Sequence, residues 1–223
     1  FQLPAQQQDA ARQKLQQSID NLGTAAQAIA LQQRLQEQAR LQPRASGFVV
    51  ADGLGKDGLK VDENPLTRGW VNAREAIQSR ASDGKVQVSI EQTADKAILN
   101  WETFNIGGNT TLDFKQNADW AVLNRVNDPS ARPSQILGQL KANGTVFVVN
   151  RNGVVFGNNS QVNVGNLVAA ATRISDGQFR DNGLYSANNS TAALTDAFGA
   201  VLVEQGARIT TQRETHCSLE RRA

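Results

Sequence analysis

One cysteine and one histidine stand in this chain of 223 residues, Cys217 and His216, side by side near its end. A lone cysteine excludes an intramolecular disulfide framework, and no cysteine-based zinc site or multi-histidine metal cluster can be assembled. A nucleophilic Cys217 has no partner histidine elsewhere in the chain, and a single histidine leaves little room for Ser-His-Asp chemistry. Long apolar runs are absent too, and nothing approaches the ~20 residues of a spanning helix. Charge of one sign is lacking: 23 basic against 21 acidic side chains leave a formal net charge of +2. That balance gives no electrostatic footprint for nucleic acid or an anionic membrane. No charged-then-apolar signal opens the chain at Phe1, so a signal peptide is expected to be already removed or not included.

What is present divides the chain. Residues 1–42 carry 13 of the 23 glutamines, after which glycine, asparagine and β-branched residues take over. In this leader Leu15, Ile19, Leu22, Ala26 and Ile29 recur at spacings of four and three, the seam of a helix over 5–42 that packs on the neighbouring domain or on another copy. Residues 43–84 mix six glycines with short apolar pieces and read as a cap of loops and edge strands, with a short helix over Asn72–Ser79. The loop Asp52–Gly58 lacks the Lys-Ser/Thr of a phosphate loop and the closing glutamate of an EF-hand, and reads as a turn.

From Lys85 onward the signal repeats. Ala97-Ile98-Leu99-Asn100, Ala121-Val122-Leu123-Asn124 and Phe147-Val148-Val149-Asn150 are apolar triplets each closed by asparagine, the asparagines lying 24 and 26 residues apart. Such a period signals stacked units, and strands this short between Gly/Asn turns suit the sides of a parallel β-helix. Asn100, Asn124 and Asn150 are then expected at equivalent corners of successive coils, because asparagine tolerates sharp turns and its amide can bond along the axis. Gly153-Val154-Val155-Phe156 echoes Gly199-Ala200-Val201-Leu202 46 residues on, close to two periods.

The run from Ala97 to Gly107, with Ala121–Val126, Pro133–Gly138, Asn143–Gly157 and Val162–Ala170, closely resembles the amino-terminal secretion domain of two-partner-secretion exoproteins of the filamentous-haemagglutinin type (TpsA-type). The likeness extends over roughly residues 85–212. It implies an all-β domain, a right-handed parallel β-helix with an N-terminal cap and extra-helical strands, here preceded by the helical extension. It also implies a secretion signal recognised in the periplasm by the POTRA domains of a TpsB-type outer-membrane β-barrel transporter. The product would be secreted or held at the cell surface, with no enzymatic activity and no cofactor. Where the family motif reads Asn-Pro-Asn-Gly-Ile, this chain has Asn150-Arg151-Asn152-Gly153-Val154. Arginine in place of proline removes a preset turn angle, while Asn152-Gly153 still favours a tight bend. This turn is the candidate for transporter recognition, or else only shapes a corner.

Two rival classes remain. An adhesin module would use Trp101, Trp120 and Tyr185 to stack carbohydrate, although aromatics total only 5% and the tryptophans lie beside apolar strand residues, which favours packing. A polysaccharide lyase or hydrolase would need paired carboxylates, whereas Asp113, Asp119 and Asp128 are dispersed. The domain by itself is expected to be monomeric, with binding of host or matrix components left to the full-length exoprotein. Residues 213–223 crowd five charges into eleven positions without a period and read as an appended or disordered tail.

Overall fold

The computed structural model describes residues 49–181 and 199–212. The leader helix expected over 5–42, Tyr185 and the tail with His216 and Cys217 lie outside the described residues.

Three strands come first: β1 (Leu59–Val61), β2 (Trp70–Val71) and β3 (Ile77–Arg80). The coils follow. β4 (Val86–Glu91) and β5 (Lys96–Phe104) open the first, and β6 (Thr110–Lys115), β7 (Ala121–Val126) and β8 (Ser134–Ile136) make the second. β9 (Gln139–Ala142), β10 (Thr145–Asn150) and β11 (Val154–Phe156) make the third. β12 (Gln161–Val164) and β13 (Asn166–Ala170) begin a fourth, which after helix α1 (Asp176–Asp181) regains strand in β14 (Val201–Val203) and leads to β15 (Arg208–Thr211). Each strand pairs in parallel with its counterpart one coil away, giving the sheets β5-β7-β10-β13, β8-β11-β14 and β4-β6-β9-β12-β15. The result is a parallel β-helix of about four turns.

Alternation builds the core. In β4, Val86, Val88 and Ile90 are buried while Gln87 and Glu91 face solvent, and Leu112, Phe114, Leu140 and Val162 stack in line with them on later coils. Burying such a side chain contributes about 1.5–3 kcal/mol, so each added coil extends one continuous apolar column. The β5-β7-β10-β13 sheet is covered on both faces. Ile98, Leu123 and Phe147 on its second face pack with Ile174 and Phe179, and the Phe147 and Phe179 rings meet edge-on at 5.3 Å. Helix α1 starts in a reciprocal cap, Gln178 N–H donating to Ser175 Oγ and Ser175 N–H to Gln178 Oε1. Arg125 ties this segment down through Asp176 at 2.6 Å and the Ile174 carbonyl at 3.1 Å.

At the first coil the parallel pattern ends in antiparallel partners: β1 and β2 pair with β5, and β3 with β4. Covering a sheet edge in this way removes a row of unpaired backbone groups. Trp70, Trp101 and Phe104 seal this end, with ring centroids 4.8 and 5.4 Å apart. Asp62, almost fully buried, accepts from Asn64 N–H, Thr67 Oγ1 and Asn127 Nδ2, so its charge is hydrogen-bonded on every side.

Three expectations are corrected. No helix forms over Asn72–Ser79; Ala73 bridges to Gln92 and Ile77 begins β3, because pairing with β4 outweighs local helix preference. The asparagines are not equivalent. β5 and β7 stack Lys96 on Ala121, 25 residues apart, and β7 and β10 stack Ala121 on Thr145, 24 apart. Asparagines spaced 24 and 26 therefore land in three columns: Asn100 beside Arg125, Asn124 between Leu99 and Val148, Asn150 beside Val126. Finally, Val154 stacks directly on Val201 one coil away, so the 46-residue echo reflects a single coil lengthened by an insertion, and its pairing is offset by one residue.

Candidate functional site

The turn Asn150–Val154 leaves the end of β10 and enters β11. Its shape comes largely from Asn150. The Asn150 carbonyl accepts from Gly153 N–H at 2.9 Å, and Asn150 Oδ1 accepts from Asn152 N–H at 2.9 Å, a side chain standing in for a backbone acceptor. Asn150 Nδ2 donates to the Arg132 carbonyl at 3.1 Å and to Ser134 Oγ at 3.0 Å, fastening the turn to the preceding coil. This bonding replaces what a proline would have supplied at Arg151.

Gly153 has φ +122°, a backbone angle that side chains rarely adopt, whereas Asn152 is not among the described residues of positive φ. Of the Asn152-Gly153 pair only Gly153 takes a backbone angle that side chains avoid, contrary to the expectation that both do. Gly153 also lies between coils: its carbonyl accepts from Ser134 N–H, and Val154 N–H donates to the Ala200 carbonyl. A Cβ on Gly153 would come within 2.8 Å of that carbonyl, and one on Gly199 within 2.5 Å of Asn152 C. Arg151 and Asn152 are half-buried and Val154 is buried. Arg151 is thus less open to solvent than its charge suggests.

Beside the turn, Arg132 bridges Asp57 at 2.8 Å and Asp128 at 3.0 Å. Burial works against its charge, and the Asp57 and Asp128 carboxylates more than offset it, so its pKa is raised. Sequence reading missed this brace. A partial signal was present in Asp128-Pro129-Ser130, where Asp128 Oδ1 accepts from Ser130 N–H in an Asx turn, but the partner Asp57 lies 75 residues from Arg132.

The other two asparagines do different work. Asn100 donates to the Gly69 carbonyl of the cap and accepts from Arg125 Nη1. Asn124, fully buried, accepts from Trp101 Nε1 and donates to the Phe147 carbonyl. An amide pair along the axis does exist, made by glutamines: oriented to satisfy both of its amide atoms, Gln116 donates to Gln92 Oε1 at 2.7 Å and accepts from Gly144 N–H at 3.1 Å. The three dispersed carboxylates stay apart. Asp113 pairs with Lys115 and Asp128 with Arg132, while Asp119 is exposed.

The family model for the TPS secretion domain matches residues 68–219, a range that spans the coils just described. The chain belongs to this family. Such a TPS domain is a secretion module, exoproteins that carry one are secreted, and membership implies a cognate outer-membrane transporter. Among curated relatives, a heme/hemopexin-binding protein of Haemophilus influenzae strain KW20 / Rd is 34% identical over 111 residues, covering 49% of this chain and 12% of that protein. Another heme/hemopexin-binding protein of the same species is 40% identical over 84 residues, 37% of this chain and 9% of that protein. The chain thus spans about a tenth of the length of these relatives. Among solved structures, the HMW1 secretion domain from Haemophilus influenzae is 31% identical, with a TM-score of 0.42 over 55% of this chain and 30% of that one.

Proposed function

We propose that this TPS domain is the part of its exoprotein that the transporter reads, through contacts with the transporter's periplasmic POTRA domains, and that the folded coils then template those that emerge later. The observation that carries the reading is the coincidence of the family match, residues 68–219, with the β-helix from β4 to β15. The rest of the chemistry is compatible with export. No cysteine occurs in residues 1–216, so no covalent cross-link obstructs passage of an unfolded chain. Among the described residues β13, β14 and β15 stand at the ends of their sheets, and Val201, Leu202, Val203 and Ile209 are 39–52% exposed there, a partly apolar edge on which a further coil can pair. Binding of host or matrix components belongs, in this reading, to the full-length exoprotein.

The test joins capture and export. The full chain is mixed with the soluble POTRA region of its transporter, and the exoprotein with or without residues 85–212 is followed into the medium of cells making that transporter. Capture together with loss of export on deletion supports the reading. Absence of capture, or export that persists without residues 85–212, overturns it.

A further inference from the structure

The corner where the β4-β6-β9-β12-β15 sheet runs into the β5-β7-β10-β13 sheet holds an open groove of about 630 Å³, bounded by Glu91 at one end and Gln212 at the other. It runs across the whole width of the first sheet, a length of about 19 Å at the usual strand spacing. We propose that this groove binds a neutral oligosaccharide, a function beyond secretion and independent of it.

Tryptophan usage is the first argument. Trp101 and Trp70 belong to the cap and their indoles are occupied: Trp101 Nε1 donates to Asn124 Oδ1 and Trp70 Nε1 to the Asn100 carbonyl. Trp120 differs. It is half-buried at the groove, stacks on no other ring among the described residues, and its indole N–H has no hydrogen-bond partner among them. Buried or half-buried indoles usually find one, and a ring with an open polar edge suits a ligand that is apolar on one face and hydroxylated at its rim.

The groove's polar groups give the second. The exposed amides of Asn117, Asn143 and Asn163 line it from three successive turns, and none hydrogen-bonds within the described residues. Each offers both a donor and an acceptor, as a sugar hydroxyl requires. Charge argues against ionic ligands. Two carboxylates, Glu91 and Asp113, face two ammonium groups, Lys115 and Lys141; Asp113 pairs with Lys115 at 2.6 Å and lies in register with Lys141, while Glu91 pairs with Arg74. A lining that sums to zero neither attracts phosphate nor rejects a polyol. The volume falls in the range of ordinary ligand sites. The platform differs from the one expected from sequence, because Trp101 is fully buried and Tyr185 lies outside the described residues.

The three tryptophans of the full chain give three indole N–H signals by NMR, which makes the site separable from the cap. Hexasaccharides of the cello, malto and lacto-N series are titrated to millimolar concentration, beside a heparin hexasaccharide and an unstructured neutral peptide. The expected result is a saturable shift of the Trp120 signal with at least one neutral sugar, loss of the binding heat of that sugar by calorimetry in Trp120→Ala, and affinity weakened about tenfold in Asn143→Ala. Asn143 is an exposed side chain, so that second variant keeps the test valid if Trp120→Ala fails to fold. Silence with every neutral sugar overturns the proposal, as does a response confined to heparin or to the peptide, or sugar binding unchanged in Asn143→Ala and Asn163→Ala alike.

Discussion

Trp101 Nε1 donates to Asn124 Oδ1 across 3.0 Å, with both side chains fully enclosed in the β-helix. The bond runs between successive coils and lets one polar side chain enter an apolar column at little net cost, since Asn124 Nδ2 is satisfied by the Phe147 carbonyl. It also couples the aromatic cap to the coils that follow. An unsatisfied group here would be costly, because no water reaches it to replace the lost partner.

Replacing Asn124 with leucine leaves the Trp101 indole and the Phe147 carbonyl short of a partner. Denaturant titration should show a loss of about 2–4 kcal/mol, whereas pairing Asn124→Leu with Trp101→Phe should cost less than the sum of the separate changes. Strict additivity would mean that the bond contributes nothing of its own.

Gly153→Val combines a backbone angle unfavourable to side chains with a Cβ 2.8 Å from the Ala200 carbonyl. The expected destabilisation is about 2–4 kcal/mol. Gly199→Ala should act in the same direction through its clash with Asn152, and a thermal melt equal to that of the parent protein in both variants would show that this stacking is absent in solution.

Arg151→Ala separates shape from recognition. Asn150 fastens the turn through its own hydrogen bonds, so the cost to folding should stay on the order of 1 kcal/mol, the side-chain packing and polar contacts of Arg151 included. If the transporter contacts this corner, POTRA binding weakens, and the deficit shrinks as salt rises. Equal affinities for parent and variant at low salt would place the recognition surface elsewhere.

Arg125→Met should loosen the segment that covers Phe147 without dissolving the coils. Asp176 is half exposed, so the ion pair itself contributes at most about 1 kcal/mol. Hydrogen exchange should quicken in residues 174–181 and stay slow in β7 and β10. Uniform acceleration throughout would show that the segment is part of one cooperative unit.

Much of the architecture is legible in the order of the amino acids. Alternation in Val86–Glu91 and Thr110–Lys115, short strands between Gly/Asn turns and a period near 25 residues all point to stacked coils, because side-chain parity is a local property. Register is not legible in this way. Aligning Asn100 with Asn124 is wrong by one residue, and a one-residue slip reverses which side chains face inward, so Asn124 enters the core while Asn100 shares a face with Ile98. The insertion after β13 also hides the adjacency of Val154 and Val201, since a period search sees distance along the chain and not stacking.

Composition and pattern by themselves determined that this chain has no second cysteine for an internal disulfide or a cysteine-based zinc site and that its apolar side chains fit short, repeated strands. Tertiary structure alone decided which groups share a site. The brace of Arg132 with Asp57 and the pressing of Gly153 against Ala200 depend on coil-to-coil stacking, as does the open side of Trp120. Stacking is a sum over many backbone pairs, and a shift of one residue that barely changes any local preference changes every contact between coils.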